Sequence, residues 1–178
     1  KKRGAYNRIK TKSEVIVKQK NYQFNYKKIK LPNNFADLIL IPNLMHHIDD
    51  VDILFKQIKK ILKKNGKVYI FEPLVRELHQ VPEDYFRITP FGFQKLLKKY
   101  GFSNFNINFD GGPFTAVGYC WDQAIQFLPK KLRYEKSSWL KRKFPEFISM
   151  DKKYTKNYVR KNTIFPMSFS IVSNLTKK

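Results

Sequence analysis

The run "ADLILI", residues 36 to 41, constrains the fold more than any other stretch of the chain. It is nearly unbroken by polar side chains, the pattern of a strand buried on both faces in a parallel sheet. From Asp50 the period changes. Val51, Leu54, Phe55, Ile58, Ile61 and Leu62 follow i, i+3, i+4 spacing, so the segment is predicted to be a helix with one apolar stripe. Asp49 or Asp50 can cap its free N–H groups, and Asp52 sits in the first turn, where the helix dipole favours an anion. Lysines gather in the last turn, and Gly66 is placed to end the helix. "KVYIFE", residues 67 to 72, is the next strand. Strand, helix and strand with short connections make a right-handed βαβ crossover, so residues 36 to 72 should form two parallel neighbours under one helix.

The rest of the chain is read around this unit. "SEVIV" (13 to 17) is β-prone, and "YQFNYKKIKLP" (22 to 32) is a more ambiguous run ending in a Pro-Asn-Asn turn. "PLVRELHQVPEDYFRI" is too long and too polar to be a mere connector. Thr89 as N-cap and Pro90 at the first position open a helix that turns Phe93, Leu96, Leu97 and Tyr100 inward and stops at Gly101. "NFNINF" (104 to 109) alternates as a strand, "FTAVGYCWDQAIQFL" (114 to 128) reads as a buried helix, and residues 129 to 165 as a basic excursion. "MSFSIVSNL" (167 to 175) closes as an alternating strand, hairpin-like beside 104 to 109.

Composition bounds the function. A chain of 178 residues, 42% of them hydrophobic, suits one domain over 1 to 178 with a sizeable core. No apolar run is long enough to predict a spanning helix. Cys120 is the single cysteine, so an internal disulfide and a cysteine-rich zinc cage are excluded, and a reducing, cytosolic setting fits. The net charge of +22 attracts anionic partners. Most of it is lysine scattered on helix faces, not an arginine and aromatic stripe able to grip phosphates and stack bases, so nucleic acid is a secondary expectation.

The polar cluster Pro42, Asn43, His46, His47, Asp49, Asp50 and Asp52 follows the first strand. Adjacent histidines point in different directions and His79 belongs to a distant loop, so no metal is expected. A nucleophile is lacking too, Cys120 reading as an inert core thiol in an apolar helix. The carboxyl ends of parallel strands bind ligands in open α/β sheets, so Pro42, Asn43, Leu44 and His47 are expected to line a cofactor pocket. Glu72 ends the next strand and faces the same cleft, where it could take a proton or a hydrogen bond from a substrate. His79, Asp84, Tyr85 and Arg87 are expected to form a polar lid over the sheet's carboxyl edge.

"FADLILIPNLMHHIDDVDILFKQIKKILKKNGKVYIFEP" resembles the second half of class I S-adenosylmethionine-dependent methyltransferases of the small-molecule type. Phe35, Asp37, Leu44, His47, Ile48, Asp49, Leu62, Lys63, Asn65 and Gly66 match its motifs in order, and "PEDYFRITPFGFQKLLKKYGF" looks like a segment of one branch. The resemblance implies an α/β, Rossmann-like methyltransferase sheet, mostly parallel with an antiparallel C-terminal hairpin and incomplete on its N-terminal side. It also implies S-adenosylmethionine as cofactor and methyl transfer to an O, N or C atom of a small-molecule acceptor, with His79 and Tyr85 of the lid on the substrate side. The family's glycine-rich turn has no match: only Gly4 precedes residue 66, and Lys27 stands where an acidic partner for the adenine amine is expected. The chain is therefore expected to be the C-terminal portion of a longer protein. The alternative is a non-catalytic relic of the fold, or a basic adaptor for an anionic partner.

Overall fold

The computed structural model describes residues 25–155 and 164–176. The run at 13 to 17 and Gly4 lie outside them. Of the ambiguous run at 22 to 32, the described residues form a turn and irregular chain instead of a strand.

Strand β1 spans Ala36–Pro42, helix α1 Val51–Ile61 and strand β2 Leu62–Pro73. The strands pair in parallel, Leu38 opposite Lys67 and Pro42 opposite Phe71, as the crossover predicted. Asp50 is the cap: its carboxylate accepts from the Ile53 N–H at 2.9 Å. Gly66 does not end α1. The chain turns extended at Leu62, and Gly66 lies within β2, packed so closely that an added Cβ would stand 2.9 Å from the Lys63 carbonyl oxygen.

Helix α2, Pro90–Lys99, is capped by Thr89, which accepts from Gly92 N–H at 3.1 Å. It ends where Gly101 takes φ +83°, a left-handed conformation cheap only for glycine. Strand β3 is Phe102–Asp110, α3 Pro113–Ile125, α4 Lys130–Met150 and β4 Ser168–Leu175. The sheet order is β1-β2-β4-β3. The C-terminal strand is antiparallel to β3, as expected, and it also inserts against β2, Lys67 facing Asn174.

One face of the sheet carries the core. Ile41, Val68, Ile70, Phe169 and Ile171 meet Leu54, Phe55 and Ile58 of α1 and Phe93 and Leu97 of α2. Phe55 stacks on Tyr100 with ring centroids 5.6 Å apart, and Phe93 contacts Phe169 at 5.8 Å. Burying these side chains contributes roughly 1.5–3 kcal/mol each. Burial of "ADLILI" on both faces is not what is found. Ile41 is buried, but Leu38 and Leu40 stand exposed, because no element among the described residues covers that face of the edge strand.

Helix α3 is also less enclosed than its nearly uncharged sequence suggests. Thr115, Ala116 and Gly118 are buried, while Val117, Cys120 and Trp121 are exposed, so Cys120 is a surface thiol and not a core one. Gly118 permits the close approach of α4: a Cβ there would lie 2.8 Å from Phe147 and 2.9 Å from Phe144. The basic excursion thus begins as a 21-residue helix that packs on α3.

Candidate functional site

The carboxyl ends of β1 and β2 lie side by side. Pro42 pairs with Phe71, and one residue later the Asn43 N–H donates to the Phe71 carbonyl at 2.8 Å. Asn43 has φ 50°, a left-handed turn that Asn tolerates better than most residues, and the chain leaves the strand there into a short 3₁₀ turn, Met45–His47.

Glu72 holds that turn. One carboxylate oxygen accepts the N–H groups of Leu44 and Met45, both at 2.8 Å, and the other accepts Nδ1–H of His46 at 2.5 Å. Glu72 and His46 are buried, so these are bonds of a carboxylate in a low-dielectric setting with every partner supplied by protein. Burial is the largest influence on His46 and lowers its pKa, against the opposing pull of Glu72.

His79 is not distant from this turn. Its Nε2 lies 3.3 Å from Nε2 of His46, and its ring centroid is 4.8 Å from that of His47 and 5.1 Å from that of His46. Nor do the adjacent histidines diverge, their centroids being 4.0 Å apart. Folding of the 74–88 loop brings this about. Asp84 accepts from the Arg87 guanidinium and, at 3.1 Å, from the His79 N–H, and the Arg87 bond holds its carboxyl well below the usual carboxylate range. Arg87 also donates to the Glu77 carbonyl at 3.1 Å, and the Tyr85 N–H donates to the His46 carbonyl at 2.8 Å. The loop is thereby pinned over the turn, with Tyr85 and Phe86 turned outward and exposed.

A cavity of 660 Å³ opens beside these strand ends, lined by Asn43, Phe71, Pro73, Phe109, Thr115 and Asp151 among others. Of the residues read from sequence, Asn43 lines it. Leu44 instead lines an apolar groove along the outer side of β1, together with Leu38 and Ile39. Sequence reasoning missed the far wall of the cavity. Asp151, in the π turn after α4, accepts the N–H groups of Phe114 and Thr115 at 3.0 and 2.9 Å and the Thr115 hydroxyl at 2.6 Å, supplying the anion that the start of α3 requires. Tyr119 donates to Glu77, and its hydroxyl is pushed up to about 12, first by burial and then by that bond.

Residues 5–70 match the family model described as a methyltransferase domain. The chain carries a class I methyltransferase fold. Among solved structures, the methyltransferase fold here resembles Haemonchus contortus phosphoethanolamine N-methyltransferase 2 with a TM-score of 0.50 and 16% identity over 86% of this chain. It resembles the [4+2]-cyclase SpnF with a TM-score of 0.51 and 14% identity, again over 86%. The chain spans 36% of the first structure and 55% of the second. One of the two is a methyltransferase by name and the other a cyclase, so at this identity the likeness carries the fold and not the reaction. No curated protein matches the chain in sequence.

Proposed function

We propose that this domain takes part in S-adenosylmethionine-dependent methyl transfer to an O, N or C atom of a small-molecule acceptor. The observation that carries the reading is the pair of parallel strands whose carboxyl ends, at Asn43 and at Phe71 and Pro73, line a common cavity. Ligands of open α/β sheets bind at such ends.

At 660 Å³ the cavity is of a size that takes a small molecule, typically about 300–1,000 Å³. The described residues fit one side of the cofactor, the turn after β1. Pro42, Asn43, Leu44 and His47 are the residues proposed to hold it there. Lys27 reaches Asp49 at 3.3 Å and offers the adenine amine no acceptor. S-adenosylmethionine, when bound, supplies an electrophilic methyl group; what the protein contributes is position. Glu72 fixes the turn by its three bonds, so its proposed part is to hold the site's geometry, and a proton taken from an acceptor would have to displace one of them. His79 and Tyr85, on the pinned loop, are proposed for the acceptor side.

Calorimetric titration of the full chain with S-adenosylhomocysteine tests the reading. Saturable binding that is weakened by Asn43→Ala is expected; a chain that folds and yet shows no binding overturns it.

A further inference from the structure

Three imidazoles meet at the carboxyl edge of the sheet, and each has its Nδ1 committed. Nδ1 of His46 faces the Glu72 carboxylate at 2.5 Å, that of His47 the Glu83 carbonyl, and that of His79 the Glu77 carbonyl at 3.2 Å and Asp84 at 3.2 Å. A carbonyl or carboxylate oxygen accepts, so Nδ1 carries a proton in every ring, and in the neutral imidazole the lone pair is then on Nε2. The consequence falls on His46 and His79. Their Nε2 atoms face each other 3.3 Å apart, so in the neutral rings two lone pairs meet there. Two lone pairs held that close in a half-buried place call for a cation.

We infer that His46, His47 and His79 bind a divalent ion of the zinc class through Nε2. Nitrogens bound to tetrahedral zinc at about 2.0–2.1 Å stand about 3.4 Å from one another, which is the spacing His46 and His79 already have. One ring nitrogen from each of the three histidines lies within 4.8 Å of the others, so rotation of the rings is what a triangular face of three nitrogens requires. The oxygen acceptors behind the rings are the supporting partners that metal-binding histidines ordinarily have: they fix the tautomer and aim the ring. Imidazole ligands suit zinc, copper, nickel and iron and disfavour magnesium and calcium. Three protein nitrogens leave a fourth position for water or an oxygen of a bound molecule. The ion would also fasten the 74–88 loop, through His79, to the turn after β1. Nothing in this depends on methyl transfer.

The test uses the full chain without an affinity tag, stripped with chelator and titrated with cobalt(II) and then zinc(II). One ion per chain, the visible bands of four-coordinate cobalt, their loss on adding zinc and a rise in Tm are expected. His47→Gln and His79→Gln, both at partly exposed positions and so compatible with folding, should each weaken binding at least about tenfold. Glu72→Gln should weaken it about 10–100-fold by freeing the His46 ring. Cys120→Ser should change nothing. Absence of saturable binding, or binding unaltered in both histidine variants with the native circular dichroism spectrum, overturns the inference and assigns the 3.3 Å contact to a shared proton. Either result leaves the S-adenosylhomocysteine titration to be read on its own.

Discussion

The His46 imidazole donates to the Glu72 carboxylate across 2.5 Å, and both side chains are buried where β2 ends. The carboxylate therefore ties the turn after β1 to the neighbouring strand by side-chain bonds that continue beyond the backbone ladder.

Replacing Glu72 with Ala strands three donors, the N–H groups of Leu44 and Met45 and the His46 ring, in a place water reaches poorly. An expected loss of about 3 kcal/mol or more follows, with Glu72→Gln costing less because one acceptor oxygen survives. Urea denaturation of the two variants checks both the size and the order.

Asp52 is the pH-sensitive link between the start of α1 and the end of α2. The Tyr100 hydroxyl, first, and Lys99 at 2.9 Å hold its carboxyl below the ordinary value. A lowered native pKa gives stability that is present above the ordinary carboxylate value and is lost as pH falls through the native one. Asp52→Asn should therefore flatten the fall in stability below about pH 4 relative to the unaltered chain. Identical slopes in acid would deny the link.

Asp151→Ala removes the carboxylate that receives three bonds from the start of α3, at an expected cost of about 2–3 kcal/mol. Gly112→Ala should be damaging through the same contact. Its φ of −155° suits any residue, but the new Cβ would lie 2.4 Å from Asp151 Oδ1. Thermal unfolding of both variants tests whether this one side chain holds α3 and the end of α4 together.

Phe55→Ala should cost about 3–5 kcal/mol, since the ring is wholly buried against Tyr100. Phe127, 90% exposed, is the control: its replacement should stay within about 0.5 kcal/mol.

Local signals were the readable part of the fold. Asp50 caps α1 and Thr89 with Pro90 opens α2, because a cap involves residues three apart and obeys rules that hold in any protein. The parallel pair β1 and β2 was readable for a related reason: the helical stripe between them fixes the direction of return. The same signals misplaced Gly66, since Leu62 ends α1 first by pairing with Ala36. Methyltransferase resemblance in "FADLILIPNLMHHIDD" correctly named the fold.

What the sequence hid depends on long-range folding. His79 meets His46 only because Arg87 and Asp84 curl the loop back across 33 positions of chain, and no period or spacing encodes that meeting. Exposure of Cys120 could not be read from a nearly uncharged helix, because α3 buries Thr115, Ala116 and Gly118 while its other side faces outward. Leu38 and Leu40 misled for the converse reason: an apolar run signals a face able to be covered, not one that is.

The place of β4 has a consequence for biosynthesis. It alone joins β3 to β2, through partners such as Lys67 with Asn174 and Phe102 with Leu175 that are about a hundred and about seventy positions apart. A growing polypeptide can form the crossover unit early, yet it must carry a bare-flanked β2 and an unattached β3 until residue 175 has left the ribosome. Premature termination within the last strand should leave β2 and β3 without the strand that hydrogen-bonds to both, and the product a natural target for degradation.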